Sequence, residues 1–84
     1  MRVPITVPDL RSGDETIRIS GWLIDEGDPV LAGELVIELM IPGLTIDIVA
    51  DTTGRLVEIV KAVDSFVRVG DVLGWLEPTV EDQG

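Results

Sequence analysis

The chain has 84 residues and a formal net charge of -10, with neither cysteine nor histidine. That is the length of one small domain. The charge opposes binding to nucleic-acid phosphates and to anionic membrane surfaces, and the missing residue types exclude disulfides, thiolate chemistry, the usual general base and the commonest metal ligand.

The opening, "MRVPITVPDL", lacks the long apolar core of a signal peptide. No apolar run approaches the roughly 20 residues of a membrane-spanning helix. A soluble, cytoplasmic, monomeric protein is expected, with no nucleic-acid or membrane partner and no metal.

In chain order, the apolar period is two. Val3, Ile5 and Val7 share one face of the first element. After a polar loop, "PDLRSGDE", Ile17 and Ile19 oppose Arg18 and Ser20. The turn "DEGDP" follows, with Asp25, Glu26 and Asp28 close together. Such carboxylates can do acid–base work in a cleft, but Gly27 and Pro29 mark an exposed turn where they are ordinary. "ELVIELM" places Leu35, Ile37 and Leu39 on one side, and "TIDIVA" aligns Ile46, Ile48 and Ala50 against Thr45 and Asp47. "RLVEIVK" and "DVLGWLE" continue the series. Period-two runs broken by "LAG", "IPG", "DTTG" and "RVG" predict short half-buried strands and no helix. One domain over 1–78 is expected, with a disordered tail over 79–84.

The chain also echoes itself. "DPVLAGELV" from Asp28 matches "SFVRVGDVL" from Ser65, 37 residues later and without a gap. Val30 matches Val67, Gly33 matches Gly70 and Glu34 matches Asp71. Two similar halves predict an all-β fold: a flattened barrel or sandwich of two short antiparallel sheets with quasi-two-fold symmetry. The loop after the first copy's strand is then "IPG", and the loop after the second is the chain end.

The pattern resembles the lipoyl domains of the dihydrolipoyl acyltransferases in 2-oxo acid dehydrogenase complexes, a barrel-sandwich hybrid fold. The resemblance runs from Ile5 to about Glu77. It rests on "VPDL" at Val7–Leu10, on Trp22, on "EGDPVLAGELVIEL", and on "GRLVEIVKAVDSFVRVGDVLGWLE". Biotin carrier domains share the barrel, but "VPDL" and Trp22 favour the lipoyl side. The resemblance implies a swinging carrier: a Lys in an Asp-Lys-Ala turn at a hairpin tip holds lipoate in amide linkage. Ungapped counts from Gly33 and from Gly54 both place that Lys at Gly43, with Pro42 and Leu44 at its neighbours' positions.

The chain departs from the family there, because Gly43 has no side chain to acylate. No lipoate is therefore expected. Ile41-Pro42-Gly43-Leu44 fits a type II turn, with Pro at the second position and positive φ at the third. Met40, Ile41 and Leu44 make the tip apolar. Either they form a protein-contact patch that replaced the lipoyl arm, or they fold back onto the barrel. Trp22 and Trp75 are both expected to serve packing. The expectation is a non-enzymatic carrier-like module that acts through protein contacts, a 2-oxo acid dehydrogenase component being one partner. The alternative is a working carrier of such a complex, for which Lys61, the one Lys of the chain, is the sole side-chain acceptor. An enzyme is the weakest reading, since no catalytic residue or activated nucleophile is identifiable.

Overall fold

The computed structural model describes residues 1–10 and 16–79. The sequence builds eight strands: β1 Val3–Thr6, β2 Ile17–Trp22, β3 Pro29–Val30, β4 Leu35–Ile41, β5 Leu44–Val49, β6 Gly54–Ile59, β7 Phe66–Val67 and β8 Val72–Pro78. They form two four-stranded sheets, ordered β1-β8-β6-β3 and β5-β4-β2-β7. Every pairing is antiparallel. The alternation of Val and Ile explains the layering: one face of each strand is apolar and must be buried against the other sheet.

The sequence echo is a structural symmetry. Exchanging β1 with β5, β2 with β6, β3 with β7 and β4 with β8 converts one sheet order into the other. The hydrogen bonds repeat in the same way. Gly33 N–H donates to Ala50 O (2.8 Å) and Gly70 N–H to Val7 O (2.9 Å). Leu31 N–H is held by Glu34 Oε1 (2.8 Å) and Arg68 N–H by Asp71 Oδ2 (2.9 Å). Gly33 and Gly70 share a φ of 89°, so each tight turn needs a residue without a Cβ. The Val-x-x-Gly-acid pattern is thus one turn built twice: the Gly takes the left-handed conformation and the acid locks the backbone three residues earlier.

The core is a single cluster that includes Ile5, Ile19, Val36, Leu39, Leu56, Leu73 and Leu76. Val7, Ile17, Ile48 and Ala50 lie in it as the alternation predicts. Leu35 does not. The register shifts between Leu35 and Ile37, so Val36 and Ile37 are both buried while Leu35 is 37% exposed. A bulge places consecutive side chains on one side of a strand, which simple alternation forbids. The predicted face Leu35–Ile37–Leu39 is corrected to Val36, Ile37 and Leu39.

Thr79, expected in the disordered tail, is held against the barrel. β8 runs through Pro78, and Thr79 N–H donates to Thr53 O (2.9 Å). Residues 80–84 of that tail, and residues 11–15 of the polar loop after β1, lie outside the described residues.

Candidate functional site

β4 and β5 form a hairpin whose last pair is Ile41 with Leu44, leaving Pro42 and Gly43 as a two-residue turn. Gly43 has φ 79°. The Pro ring fixes a negative φ at the position before it. The primed turns that usually join strands this closely require positive φ there. The turn is therefore type II, as the residues predict. A Cβ built on Gly43 meets nothing within 4 Å, so the tip opens into solvent. Space does not prevent a side chain at this position; backbone conformation does, because an L residue at this φ is strained.

The apolar rim divides. Ile41 is buried at 6% exposure and belongs to the core, whereas Leu44 is 56% exposed and Met40 36%. Met40 pairs with Thr45 and Ile41 with Leu44. Side chains alternate along a strand, so Met40 and Leu44 stand on opposite faces of the hairpin. The expected patch of Met40, Ile41 and Leu44 is thus corrected: Ile41 packs inward, and the remaining two are separate exposed side chains. On the outer face, Met40 lies beside Arg18, whose Nη2 contacts Met40 Sδ at 3.5 Å and whose Nη1 pairs with Asp64 Oδ1 at 3.0 Å. Phe66 continues that row opposite Arg18 and is 68% exposed.

Lys61 is elsewhere. It follows β6, and its carbonyl accepts the Trp22 Nε1–H at 2.7 Å. Arg18 marks the tip end of β2, where it pairs with Met40; Trp22 lies four residues further along. At about 3.3 Å per residue that is roughly 13 Å beyond Arg18, and further still from the turn. Lys61 is half-buried and does not share the hairpin's solvent exposure.

The carboxylates at 25–28 serve the turn. Asp28 Oδ2 accepts from Asp25 N–H (2.9 Å), and Glu26 Oε2 accepts from Ile59 N–H (2.8 Å). Arg55 Nη1 adds a bond to Gly27 O at 2.6 Å. No cluster of metal-binding side chains occurs among the described residues. Trp22 packs against the core as expected. Trp75 does not join it: it stands half-buried on the outer face, with Pro4 and Glu58 as cross-strand neighbours.

Lipoate attachment needs a primary amine on a long exposed stem. The tip offers a proline ring and a glycine, so its residues do not fit that group.

The comparisons agree with this architecture. The Biotin_lipoyl family model, described as "Biotin-requiring enzyme", matches residues 3–76. The chain is 33% identical over 70 residues to the dihydrolipoyllysine-residue succinyltransferase component of the 2-oxoglutarate dehydrogenase complex of Bacillus subtilis, covering 83% of this chain and 17% of that protein. It is 34% identical over 74 residues to the component of the same name from Rickettsia felis, covering 88% of this chain and 18% of that protein. The chain thus spans less than a fifth of these relatives. The solution structure of the lipoyl domain of the Azotobacter vinelandii 2-oxoglutarate dehydrogenase complex superimposes with a TM-score of 0.74 at 23% identity, covering 92% of this chain and 99% of that one. The chain therefore belongs to the biotinyl/lipoyl domain family, as a carrier-like module rather than a catalytic domain.

Proposed function

We propose that this domain keeps the carrier fold without the carrier's prosthetic group and works through protein contacts. The observation that carries this reading is Gly43 at the apex of the β4–β5 hairpin, flanked by Pro42 and followed by an exposed Leu44. An acyl or electron carrier needs a covalent arm; a two-residue type II turn supplies none. The relatives are components of 2-oxoglutarate dehydrogenase complexes, so a component of a 2-oxo acid dehydrogenase is the first partner to test.

Attachment at Lys61 is the competing reading. Its half-buried position beside Trp22 argues against a swinging arm there. Co-expression with a lipoate ligase, and separately with a biotin ligase, followed by intact-mass measurement, tests both readings. The unmodified mass is expected. A lipoyl, octanoyl or biotinyl increment would overturn the proposal, and its loss on Lys61→Arg would assign it to Lys61.

A further inference from the structure

The two sheets have four edges, and three are blunted. β3 and β7 are two residues long, and β1 carries Pro4, which has no N–H to offer. Short edges and edge prolines are the ordinary protections against adding a further strand. β5 has six residues, no proline and no lysine, and it is paired only with β4 among the described residues.

The register shows which backbone groups are free. Ile41 and Leu44 close the two-residue turn and exchange hydrogen bonds, so bonding to β4 recurs at Ile46. The N–H and C=O groups of Thr45 and Asp47 then point away from β4. Beside this edge lies a groove of about 530 Å³ between β5 and β1, two strands that do not pair with each other. Its apolar lining includes Ile5, Ile48 and Leu76, and its charged lining is Asp47 and Asp51, with no Lys or Arg among the lining residues. Leu44 and Thr45 are not part of the lining, so the groove lies toward the end of β5 away from the hairpin tip.

We infer that β5 is a strand-addition site for an extended partner segment in which apolar residues alternate with Lys or Arg. Its backbone would continue the sheet at Thr45 and Asp47, one side-chain row would enter the groove over Ile5, Ile48 and Leu76, and the basic row would meet Asp47 and Asp51. A second copy of this chain is disfavoured as occupant by its net charge of -10, which sets like charge against like. The inference extends the contact-module reading but is independent of the tip, because the groove is unaffected by what residue 43 carries.

The test uses a synthetic peptide of about ten residues alternating Val and Lys, against the intact chain. Amide hydrogen exchange and backbone chemical shifts are followed by NMR. Slowed exchange at Thr45 and Asp47 is expected, together with about tenfold weaker binding when the peptide's alternate amides are N-methylated, since each lost backbone bond is a substantial part of a weak complex. Asp47→Lys with Asp51→Lys is expected to weaken binding by a similar factor. Equal binding of the N-methylated peptide would reduce the effect to charge alone and overturn strand addition. Protection at Thr45 and Asp47 arising from dimerisation without peptide, detected by sedimentation, would overturn the choice of partner. Intact mass of the same sample reports separately on lipoylation, so failure of either reading is visible without the other.

Discussion

The indole of Trp22 fills the space that a side chain at Gly74 would need: a Cβ there would lie 2.8 Å from Trp22 Cη2 and 2.7 Å from Glu58 O. The quasi-symmetric positions hold Ile59 and Ile37, two side chains of middling size. One pair thus sets a large residue against none where its symmetry mate has two equal ones. The fit of the indole over Gly74 breaks the symmetry in side-chain size.

Gly74→Ala is therefore expected to destabilise the domain by about 1–3 kcal/mol, because one contact is flexible ring but the other is strand backbone. Trp22→Phe is expected to cost about 1–3 kcal/mol, combining lost ring volume with an unpaired Lys61 carbonyl. Chemical denaturation checks both. A Gly74→Ala midpoint equal to wild type would show that the indole yields freely.

At the tip, Gly43→Lys alone is expected to lose about 1–2 kcal/mol, since φ 79° is kept only at a cost by an L residue. It is expected to be a poor substrate for a lipoate ligase, because Pro42 remains beside it. The triple change Pro42→Asp, Gly43→Lys and Leu44→Ala rebuilds the Asp-Lys-Ala turn and is expected to be modified far more completely. Intact mass after co-expression decides; equal modification of the single and triple variants would show that the turn's shape is immaterial.

The hairpin rim separates by stability. Ile41→Ala is expected to cost about 2–4 kcal/mol as a core truncation. Leu44→Ala and Met40→Ala are expected to stay within about 0.5 kcal/mol. A large loss at Leu44 would mean that its side chain packs inward after all.

Asp64 has φ 74° and is the quasi-equivalent of Gly27, whose φ is 95°. Asp tolerates this region better than branched residues do. Asp64→Val is expected to cost about 1–2 kcal/mol. Asp64→Gly is expected to be near neutral, relieved backbone strain offsetting added unfolded-state entropy and an exposed ion pair with Arg18 worth little. Thermal melts of the two variants give the comparison; equal losses would assign the effect to the ion pair instead.

Some of this was written locally. Period-two alternation put Ile17, Ile19, Ile46 and Ile48 on inner faces, because successive side chains leave a strand on opposite sides whatever the strand later pairs with. The 37-residue echo gave the pseudo-two-fold, because the same Val-x-x-Gly-acid turn closes the same way wherever it occurs. Pro42-Gly43 specified a type II turn through the ring and the missing Cβ alone. The tertiary structure decided the rest. Whether Leu35 or Val36 enters the core depends on a bulge, and a bulge exists only relative to a partner strand. Trp22 turns inward because Gly74, fifty-two residues away, leaves room, while Trp75 meets Pro4 and Glu58 on the outer face. Ile41 and Leu44 face each other in one hairpin, yet only Ile41 has the barrel's core beneath it. That β5 is a six-residue edge strand, with a groove beside it lined by both apolar residues and Asp47 and Asp51, follows from sheet order, which no local pattern carries.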